Sequence, residues 1–265
     1  MNVTRPIYAV GDIHGHPDKL DRALDLVAAD GGADAPMVFL GDFTDRGPDS
    51  RGVLDRLVAG RDAGRDWRFV LGNHDRMFLR FVTRGEVRDS RIESGKGWLH
   101  PALGGGATLL SYLDLPGFRH PSGGGLDTLA TEGLDDGPDA LVAELAEAAR
   151  AQVPSAHVDF IESLPLYIED DDVLWVHAGL RPGVPLAEQD EDDLLWIRDG
   201  FLEHDASFGP LVVHGHTWLD APTHFGNRID LDGGAAFGNP LVPAVYDGRD
   251  WFTLSDAGRT PLTAP

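Results

Sequence analysis

The sequence predicts an α/β fold with strands that are at least partly parallel, and three features of the chain support this prediction. Short apolar runs at 7–10 and 37–40 are each followed by a segment with the helical spacing of apolar residues, and a third run lies at 69–71. Two later β-branched runs, at 173–176 and 211–213, lead directly into histidines. This alternation is typical of a sheet whose functional groups lie beyond the carboxyl ends of its strands.

Helices are predicted after the first two strands. Pro17 begins the first helix, because proline suits the first helical turn. The segment 51–59 repeats the helical spacing, so both helices are expected to pack one face against the sheet. The apolar residues on these two faces are Leu20, Ala23, Leu24, Val27, Ala28, Val53, Leu54, Leu57 and Val58.

Residues 85–157 differ in composition from the segments around them. Glycine clusters lie at 104–106 and 123–125, and an acidic, alanine-rich helix is predicted from about 139 to 151. The first cluster lacks the lysine and the following Ser or Thr of a nucleotide-binding P-loop, so we expect a flexible turn there. We therefore expect a single domain over 1–265 with a cap-like insertion at about 85–157.

The closing segment, 228–254, predicts an antiparallel end to the fold. Strand-like runs at 229–231, 242–246 and 251–254 are separated by Pro and Gly. The residues after Asp256 are rich in Gly, Thr and Pro, and we expect this tail to be frayed.

Composition limits the classes of function. The chain has 265 residues, 42% of them hydrophobic, which is enough for one sizeable core. Its formal net charge of -22 repels nucleic acids and anionic membranes, so neither is an expected partner. Cysteine is absent, so any metal must be bound by nitrogen and oxygen ligands. No apolar run approaches the ~18 residues of a membrane span and no leader-like pattern is visible, so a soluble, cytoplasmic protein is expected.

Five short polar segments follow predicted strands. They are GDIHG at 11–15, GDFTDRG at 41–47, GNHD at 72–75, HAG at 177–179 and HGH at 214–216. If the strands are neighbours, these segments meet at one edge and combine carboxylates, imidazoles and one amide oxygen. This mixture suits divalent ions such as Mn²⁺, Fe²⁺ or Zn²⁺. The candidate ligands exceed the shell of one ion, so two ions are favoured, and a bridging carboxylate such as Asp42 would hold them ~3.5–4 Å apart.

In this order, GDIHG, GDFTDRG, GNHD, HAG and GHT resemble the motifs of the phosphoprotein phosphatase family of calcineurin-like metallophosphoesterases, over about 7–254. Three further stretches are similar to the small bacterial serine/threonine protein phosphatases: GGGATLLSY at 104–112, HAGLRPGVPL at 177–186 and LLWIRDGFL at 194–202. The resemblance implies a sandwich of two mixed sheets flanked by helices, with a dinuclear metal site at the strand ends.

The resemblance also implies a set of metal ligands. One ion would be bound by Asp12, His14 and Asp42, and the other by Asp42, Asn73, His177 and His216. Manganese is the expected metal, with iron or zinc as alternatives. The two ions would activate water for direct attack on phosphorus, without a covalent intermediate.

Further residues are assigned to the substrate and the leaving group. The resemblance implies that His74, oriented by Asp45, protonates the leaving alkoxide, since an imidazole beside a carboxylate can be kept cationic near neutral pH. Arg46 and Arg198 are expected to bind the phosphate, because arginine can bind two of its oxygens at once. His214 is assigned to substrate binding and is expected to line the mouth of the site or to lie behind the metal ligands, rather than to bind a metal itself.

The expected activity is hydrolysis of a phosphomonoester, with phosphoserine or phosphothreonine of a protein favoured over a small phosphoester. A dinucleoside tetraphosphatase, acting on diadenosine tetraphosphate, resembles the chain in GDxHG, GNHD and the order of the histidines. The second Asp of GDFTDRG is absent from many of those enzymes and favours the protein phosphatase. A catalytically silent phosphate-binding module is a third alternative, and the intact ligand set argues against it.

Residues outside the motifs are expected to be mostly structural. Trp196 is expected in the core, and the acidic run 188–193 in a solvated loop. Arg181 is a candidate for a positively charged mouth of the site. Asp75 is given little weight as a metal ligand, because eukaryotic relatives usually have Glu at this position. The histidines expected on the surface or in structural hydrogen bonds are His100, His120, His157, His204 and His224.

Overall fold

The computed structural model describes residues 5–92, 94–134, 138–170 and 172–265. The helices are α1 (Pro17–Gly31), α2 (Ser50–Asp62), α3 (Asn73–Arg84), α4 (Gly105–Tyr112), α5 (Thr128–Glu132), α6 (Asp139–Gln152), α7 (Ser155–Glu162) and α8 (Glu191–Trp196). The strands are β1 (Ile7–Val10), β2 (Met37–Phe39), β3 (Trp67–Phe69), β4 (Tyr167–Glu169), β5 (Val173–Val176), β6 (Leu211–His214), β7 (Thr223–His224), β8 (Arg228–Asp230), β9 (Ala244–Tyr246), β10 (Trp251–Ser255) and β11 (Gly258–Pro261). Strands and helices alternate from β1 to α3, as the apolar spacing predicts.

The first sheet has the strand order β11-β10-β9-β1-β2-β3. The strands β1, β2 and β3 are parallel, with Val10 opposite Phe39 and Phe39 opposite Phe69. The strands β9, β10 and β11 complete the sheet in antiparallel orientation, and Tyr246 lies opposite Ile7. The carboxyl ends of β1, β2 and β3 therefore lie side by side.

The second sheet has the strand order β4-β5-β6-β8-β7. The central strands β5, β6 and β8 are parallel, with Val173 opposite Leu211 and His214 opposite Asp230. The outer strands β4 and β7 are antiparallel to their neighbours. This sheet supplies a second set of adjacent carboxyl ends.

The two sheets pack face to face around a shared core. Successive side chains of a strand point to opposite faces, so Ala9 and Val38 face this core, whereas Val10 and Phe39 face α1, α2 and α3. The core between the sheets consists of Ala9, Val38, Leu40, Val70, Val173, Trp175, Val213, Ile229, Leu231, Ala244 and Trp251. The predicted sandwich of two mixed sheets flanked by helices is confirmed.

Local sequence explains where the helices next to the site begin and end. Pro17 is in the first turn of α1. The side chain of Asp49 accepts a hydrogen bond from the backbone N–H of Gly52 and caps α2. Gly85 ends α3 in the left-handed conformation, with φ of 72°. None of the helices in the described part of the chain is long and apolar enough to cross a membrane.

Residues 85–157 contribute α4, α5 and α6, whose buried side chains join the same apolar cluster as α1, α2 and α3. The expected flexible turn at 104–106 is wrong, because α4 begins at Gly105 and both Gly105 and Gly106 are buried. A Cβ on Gly105 would collide with Trp98, and one on Gly106 with the backbone of Leu129. The division into one domain with a cap-like insertion stays a prediction.

Four other local predictions differ from the structure. The third strand is Trp67–Phe69 rather than 69–71, because the backbone N–H of Leu71 already bonds to the oxygen of Pro165 outside the sheet. The tail after Asp256 is not frayed, since Gly258–Pro261 forms the edge strand β11.

The predicted strand at 229–231 also lies elsewhere than in the antiparallel end of the chain. It forms β8 (Arg228–Asp230), which pairs in parallel with β6 of the second sheet. The acidic run 188–193 is only partly a solvated loop, because α8 begins at Glu191 and Asp193 is buried.

Candidate metal centre

The carboxyl ends of both sets of parallel strands meet at one edge of the sandwich. The first sheet supplies Asp12 and His14 after β1, Asp42 after β2, and Asn73 and His74 at the start of α3. The second sheet supplies His177 after β5 and His216 after β6. These side chains are all buried, with exposed fractions from 0% to 7%. The predicted ligands therefore lie together below the protein surface.

Asp42 lies between two groups of polar side chains, and the first group surrounds its Oδ2 atom. Nε2 of His14 is 3.6 Å from this oxygen and 3.6 Å from Oδ2 of Asp12. Nε2 of His74 is 4.0 Å from Oδ2 of Asp42. The ligand-type atoms of His14, Asp42 and His74 all lie within 4.8 Å of one another. The ligands predicted for the first ion are therefore adjacent, with His74 beside them.

The second group surrounds the Oδ1 atom of Asp42. Nε2 of His177 is 3.4 Å from this oxygen. Oδ1 of Asn73 is 2.8 Å from Nε2 of His177 and 2.9 Å from Nδ1 of His216. One carboxylate thus belongs to both groups, which is the arrangement that a bridging ligand requires.

Hydrogen bonds determine which nitrogen faces the cluster in two of the imidazoles, those of His14 and His177. Nδ1 of His14 donates to the backbone oxygen of Thr44 at 2.8 Å, and Nδ1 of His177 donates to that of Leu40 at 2.7 Å. Both bonds leave Nε2 with a lone pair directed into the cluster. Nε2 of His216 is buried and has no hydrogen-bond partner among the described residues. Anchored imidazoles, carboxylates and an amide oxygen fit a divalent ion.

The backbone is strained at this site. Within the described chain, five residues other than glycine have a positive φ. They are His14 (46°), Asp42 (52°), Asp45 (75°), Arg46 (67°) and His216 (66°). Each such conformation costs on the order of 1–3 kcal/mol and persists only where the surrounding structure enforces it. All five are residues that the sequence assigned to the site, so the strain is concentrated where side chains must be aimed.

Two glycines allow the close approach of the segments that carry the ligands. A Cβ on Gly72 would collide with the backbone and the carboxylate of Asp42. A Cβ on Gly215 would collide with Oδ1 of Asp12, which accepts a hydrogen bond from the backbone N–H of His216 at 3.0 Å. Glycine at 215 therefore lets the second sheet approach Asp12 of the first.

Asp45 is held by three donors. Nδ1 of His74 donates to its Oδ2 at 2.7 Å. Nε1 of Trp98 donates to the same oxygen at 2.7 Å, and Oγ1 of Thr108 donates to Oδ1 at 2.7 Å. Trp98 and Thr108 were not among the predicted site residues, although Thr108 lies in GGGATLLSY, a stretch that resembles the bacterial protein phosphatases. The segment 85–157 thus holds the carboxylate that orients His74.

The surroundings of His74 in this chain favour the neutral imidazole, whereas the sequence predicts the cationic form. Burial, followed by the nearby Arg46, lowers the pKa of His74 well below its usual value. Burial raises the pKa of Asp45 to about 8, although hydrogen bonds from Thr108 and Trp98 oppose this shift. Nη2 of Arg46 donates to Nε2 of His74 at 3.0 Å, which requires the neutral imidazole. The cost of burying a charged His74 imidazole outweighs its attraction to the Asp45 carboxylate.

Burial also dominates the electrostatics of the predicted ligands. Desolvation, reinforced by neighbouring carboxylates, raises the pKa of Asp12 and Asp42 well above the usual value. Burial lowers the pKa of His177 to about 3. These pKa shifts favour protonated carboxyl groups and neutral imidazoles in the cluster. A bound divalent cation would lower the pKa of the carboxyl groups again, because it stabilises their ionised form. The neutral imidazoles are already in the form that binds a metal.

The two predicted phosphate-binding arginines lie on different sides of the cluster. Nη1 of Arg46 donates to Nε2 of His14 at 2.6 Å. Nη2 of Arg198 donates to the backbone oxygen of His216 at 3.2 Å. Arg198 and Trp196 line a cavity of about 550 Å³, so Trp196 is half-buried beside the site rather than enclosed in the core as expected. Phosphate binding by either arginine stays a prediction.

The two other candidates for the mouth of the site have different surroundings. His214 is fully buried, with its Nδ1 bonded to the backbone oxygen of Gly215 at 2.9 Å and its ring 5.0 Å from that of Phe201. This buried position suits a residue behind the metal ligands, and a role of His214 in substrate binding stays a prediction. Arg181 lines the same cavity as Arg198 and Trp196, and its Nε donates to Asp193 of α8 at 2.6 Å, so its place in a positively charged mouth stays a prediction.

Asp75 has a larger structural role than the sequence suggested. Its Oδ1 accepts hydrogen bonds from the backbone N–H of Phe43 at 2.9 Å and from that of Thr44 at 3.1 Å. Oγ1 of Thr44 donates to the same oxygen at 3.1 Å. Asp75 therefore holds the loop that carries Asp42 and Asp45.

Comparisons with known proteins agree with this geometry. The sequence model of the calcineurin-like phosphoesterase family matches residues 5–237. An asymmetrical bis(5'-nucleosyl)-tetraphosphatase from Bacillus velezensis is 26% identical over 258 residues, covering 88% of this chain and 86% of the relative. A symmetrical bis(5'-nucleosyl)-tetraphosphatase from Acidovorax sp. is 40% identical over 93 residues, covering 35% of this chain and 31% of the relative.

A solved structure supports the fold. The crystal structure of a candidate diadenosine tetraphosphatase has a TM-score of 0.61 and 24% sequence identity, covering 95% of this chain and 94% of that chain. The family match includes every described strand end that supplies a predicted ligand. The chain therefore belongs to the calcineurin-like phosphoesterase family, and it is a metallophosphoesterase, a hydrolase that uses divalent metal ions.

Proposed function

We propose that the protein hydrolyses bis(5'-nucleosyl) tetraphosphates, for which diadenosine tetraphosphate is the test substrate. The observation that carries this proposal is the similarity to the Bacillus velezensis tetraphosphatase, which spans 88% of this chain and 86% of that protein. This substrate is the alternative that the sequence left open, and it replaces the serine/threonine protein phosphatase that GDFTDRG favoured. Relatives of the asymmetrical type match most of this chain, so cleavage of a terminal phosphate link, giving AMP and ATP, is part of the proposal.

The proposed ligands are those that the family resemblance implies, and their proximity supports them. They are Asp12, His14 and Asp42 for one ion, and Asp42, Asn73, His177 and His216 for the other. Bound ions, for which we propose Mn²⁺, would withdraw charge from the phosphate oxygens and lower the pKa of an attacking water. The chain supplies the anchored imidazoles and the shared carboxylate that fix where the ions bind.

The two arginines beside the cluster suit an anionic polyphosphate. Arg46 lies against His14 and His74, and Arg198 lies against His216. In a chain with a net charge of -22, these guanidinium groups provide local positive charge at the site. We propose that Arg46 binds the phosphate that is attacked and that Arg198 binds the phosphates beyond it.

A protein phosphatase is the second candidate, and the Asp45–His74 pair favours it. Nδ1 of His74 and Oδ2 of Asp45 are 2.7 Å apart, so the carboxylate could stabilise an imidazolium that protonates a leaving group, once a bound phosphate draws Arg46 away from Nε2 of His74. A serine alkoxide needs that proton, whereas the leaving group of a dinucleoside tetraphosphate is a phosphate chain that is stable as an anion. The dyad is therefore more useful for phosphoserine than for the proposed substrate.

The test compares the two substrates on one preparation loaded with Mn²⁺. We expect kcat/KM for diadenosine tetraphosphate to exceed that for a phosphoserine peptide by at least about tenfold, with AMP and ATP as products separated by chromatography. The variant Asp42→Asn, purified in the same way, controls for contaminating phosphatases. Faster hydrolysis of the peptide would establish the second candidate, and two molecules of ADP would overturn the asymmetrical cleavage.

A further inference from the structure

Two exposed aromatic side chains lie outside the metal-ligand set. Trp218 is 49% exposed and Phe237 is 55% exposed, and their ring centroids are 4.7 Å apart. Neither was a candidate in the sequence analysis. Large aromatic groups are normally buried, because their exposed surface costs about 25 cal/mol per Å². An exposed pair in contact is therefore a surface that suits a planar ligand.

This aromatic pair adjoins the metal centre through Arg46. The guanidinium carbon of Arg46 lies 5.4 Å from the ring centroid of Phe237. The same guanidinium donates to His14 at 2.6 Å and to His74 at 3.0 Å. Trp218 follows His216 by two residues along the chain. A molecule with a phosphate at Arg46 could therefore place an adjoining ring on the aromatic pair.

The backbone under the aromatic pair is held by hydrogen bonds from distant residues. Nζ of Lys19 donates to the backbone oxygens of Ala235 at 2.6 Å and Asn239 at 2.9 Å. Nδ2 of Asn239 donates to the backbone oxygen of Gly233 at 2.9 Å. The 3-10 turn Ala235–Phe237 is thus held by hydrogen bonds at its first residue and just after its last residue. The surface is formed in advance, so a ligand need not order it on binding.

Trp218 is held against the same turn. A Cβ on Gly234 would collide with Nε1 and Cδ1 of the Trp218 indole, so the ring rests directly on glycine backbone. The backbone N–H of Leu219 donates to the oxygen of Asp232 at 2.9 Å and ties the Trp218 loop to the segment that leads into the turn. Hydrogen bonds therefore hold the segments that carry both rings in one fixed arrangement.

We propose that Trp218 and Phe237 form a base-stacking platform for the nucleoside half of the substrate whose phosphate is bound by Arg46. This inference rests on the proposed function and extends it by assigning the residues that recognise the base. Stacking of a base on an aromatic side chain contributes about 1–3 kcal/mol and depends little on base identity, so the platform would accept different nucleosides. A phosphoserine or phosphothreonine residue has no ring next to its phosphate.

The test measures kinetics with base-containing and base-free ligands. We expect Trp218→Ala and Phe237→Ala each to raise KM for diadenosine tetraphosphate by about 5- to 100-fold, with a smaller change in kcat. The inhibition constant of ATP, acting as a competitive inhibitor, should rise by a similar factor in these variants. Inorganic tripolyphosphate has no base, so its inhibition constant should be the same for wild type and variants. Trp218→Phe and Phe237→Tyr keep a ring and should stay close to wild type.

Leucine substitutions separate stacking from packing. Trp218→Leu and Phe237→Leu keep apolar bulk without a ring, and we expect them to behave like the alanine variants. The base-stacking proposal would be overturned if KM were unchanged in the alanine variants. It would also be overturned if these variants lost inhibition by tripolyphosphate as much as inhibition by ATP. Either result would leave the proposed function intact.

Calorimetric titration distinguishes failure of the platform from failure of the proposed function. Wild type loaded with Mn²⁺ is titrated with ATP and with tripolyphosphate, and the titrations are repeated with Trp218→Ala. If no dinucleoside tetraphosphate is hydrolysed, the proposed function fails, but tighter binding of ATP that is lost in Trp218→Ala would still support the platform. Equal binding of the two ligands by wild type would overturn it.

Discussion

At the scale of single residues, the site depends most on Asp42. Its Oδ2 faces His14 at 3.6 Å and its Oδ1 faces His177 at 3.4 Å. Oδ1 also accepts a hydrogen bond from the backbone N–H of His74 at 2.9 Å. The same carboxylate therefore joins both ligand groups and positions the start of α3.

Replacing Asp42 should affect both metal positions. Asp42→Asn removes the negative charge that two cations would share, so we expect metal content after Mn²⁺ loading to fall at both positions and kcat/KM to fall by about 10³-fold. Metal content is measured by elemental analysis after gel filtration. The matched variant Asp12→Asn should lower occupancy of one position only. Retention of two ions by Asp42→Asn would contradict the shared-ligand assignment.

The second residue-scale prediction concerns His74 and the leaving group. If His74 delivers a proton, His74→Ala should lower kcat about 10²–10⁴-fold for an alkyl phosphate but by less than about tenfold for diadenosine tetraphosphate or an activated aryl phosphate, whose leaving groups need little protonation. The measurement is a series of substrates with different leaving-group pKa values.

Asp45→Asn is the matched control for the His74 variant. It keeps the size of the side chain that accepts hydrogen bonds from His74, Trp98 and Thr108, but removes its charge. We expect the same dependence on the leaving group with a smaller loss. An equal loss by His74→Ala on every substrate would contradict the acid role and would favour a role for His74 next to the first ion.

At the scale of elements, the loop between β2 and α2 is positioned by the first turn of α3. Asp75 accepts hydrogen bonds from Phe43 and Thr44, and this loop carries Asp42 and Asp45. Parallel strands bring the loop and α3 to the same edge, but Asp75 sets their relative position. Burial raises the pKa of Asp75 to about 6, while these hydrogen bonds favour its ionised form.

Removing this link should destabilise the protein and weaken metal binding together. Asp75→Ala leaves buried backbone donors of Phe43 and Thr44 without an acceptor, so we expect a loss of about 2–4 kcal/mol in the free energy of unfolding, measured by urea denaturation. Mn²⁺ affinity should fall at the same time. Thr44→Val removes only the hydroxyl donor and should cost about 1 kcal/mol. A destabilised Asp75→Ala with unchanged metal affinity would contradict the link.

At the scale of the whole molecule, two sheets must associate before the site exists. Asp12, Asp42 and Asn73 come from the first sheet, whereas His177 and His216 come from the second. Association of the sheets buries carboxyl groups and imidazoles together. In the folded protein the pKa values of these carboxyl groups are therefore raised and those of the imidazoles are lowered. Folding without metal therefore depends on pH.

The direction of this dependence follows from Asp45. Burial raises the pKa of Asp45 in the folded state to about 8 from its usual 3.8, so above pH 4 the folded state binds more protons than the unfolded state and stability falls with rising pH. His177, lowered to about 3, acts in the opposite direction only below about pH 6.5, because above it the imidazole is neutral in both states.

The prediction is therefore confined to the window from pH 6.5 to about 8. In metal-free protein, we expect the free energy of unfolding to decrease by up to about 1.4 kcal/mol per pH unit for each raised carboxylate. Asp45→Asn should have a shallower decrease, and Mn²⁺ should flatten the wild-type profile. Chemical denaturation at a series of pH values provides the measurement. Parallel profiles for wild type and Asp45→Asn would contradict the raised pKa.

Most of the secondary structure around the site could be predicted from local patterns. Apolar runs followed by helical spacing predict β1, α1, β2 and α2, because these patterns depend on residues close in sequence. The same approach failed for β11, whose Gly, Thr and Pro residues resemble a loop. Pro261 is tolerated there because β11 is an edge strand with a free side.

The sequence by itself determined the inventory of the site: the order of the polar segments, the residue types that suit divalent metals, and the family. Only the tertiary structure decided which groups touch. Trp98 and Thr108 reach Asp45 across 53 and 63 positions of the chain, and His214 is buried although it lies in a motif. Trp218 and Phe237 likewise become neighbours only after folding. Such contacts depend on how distant segments pack, and local periodicity carries no information about that packing.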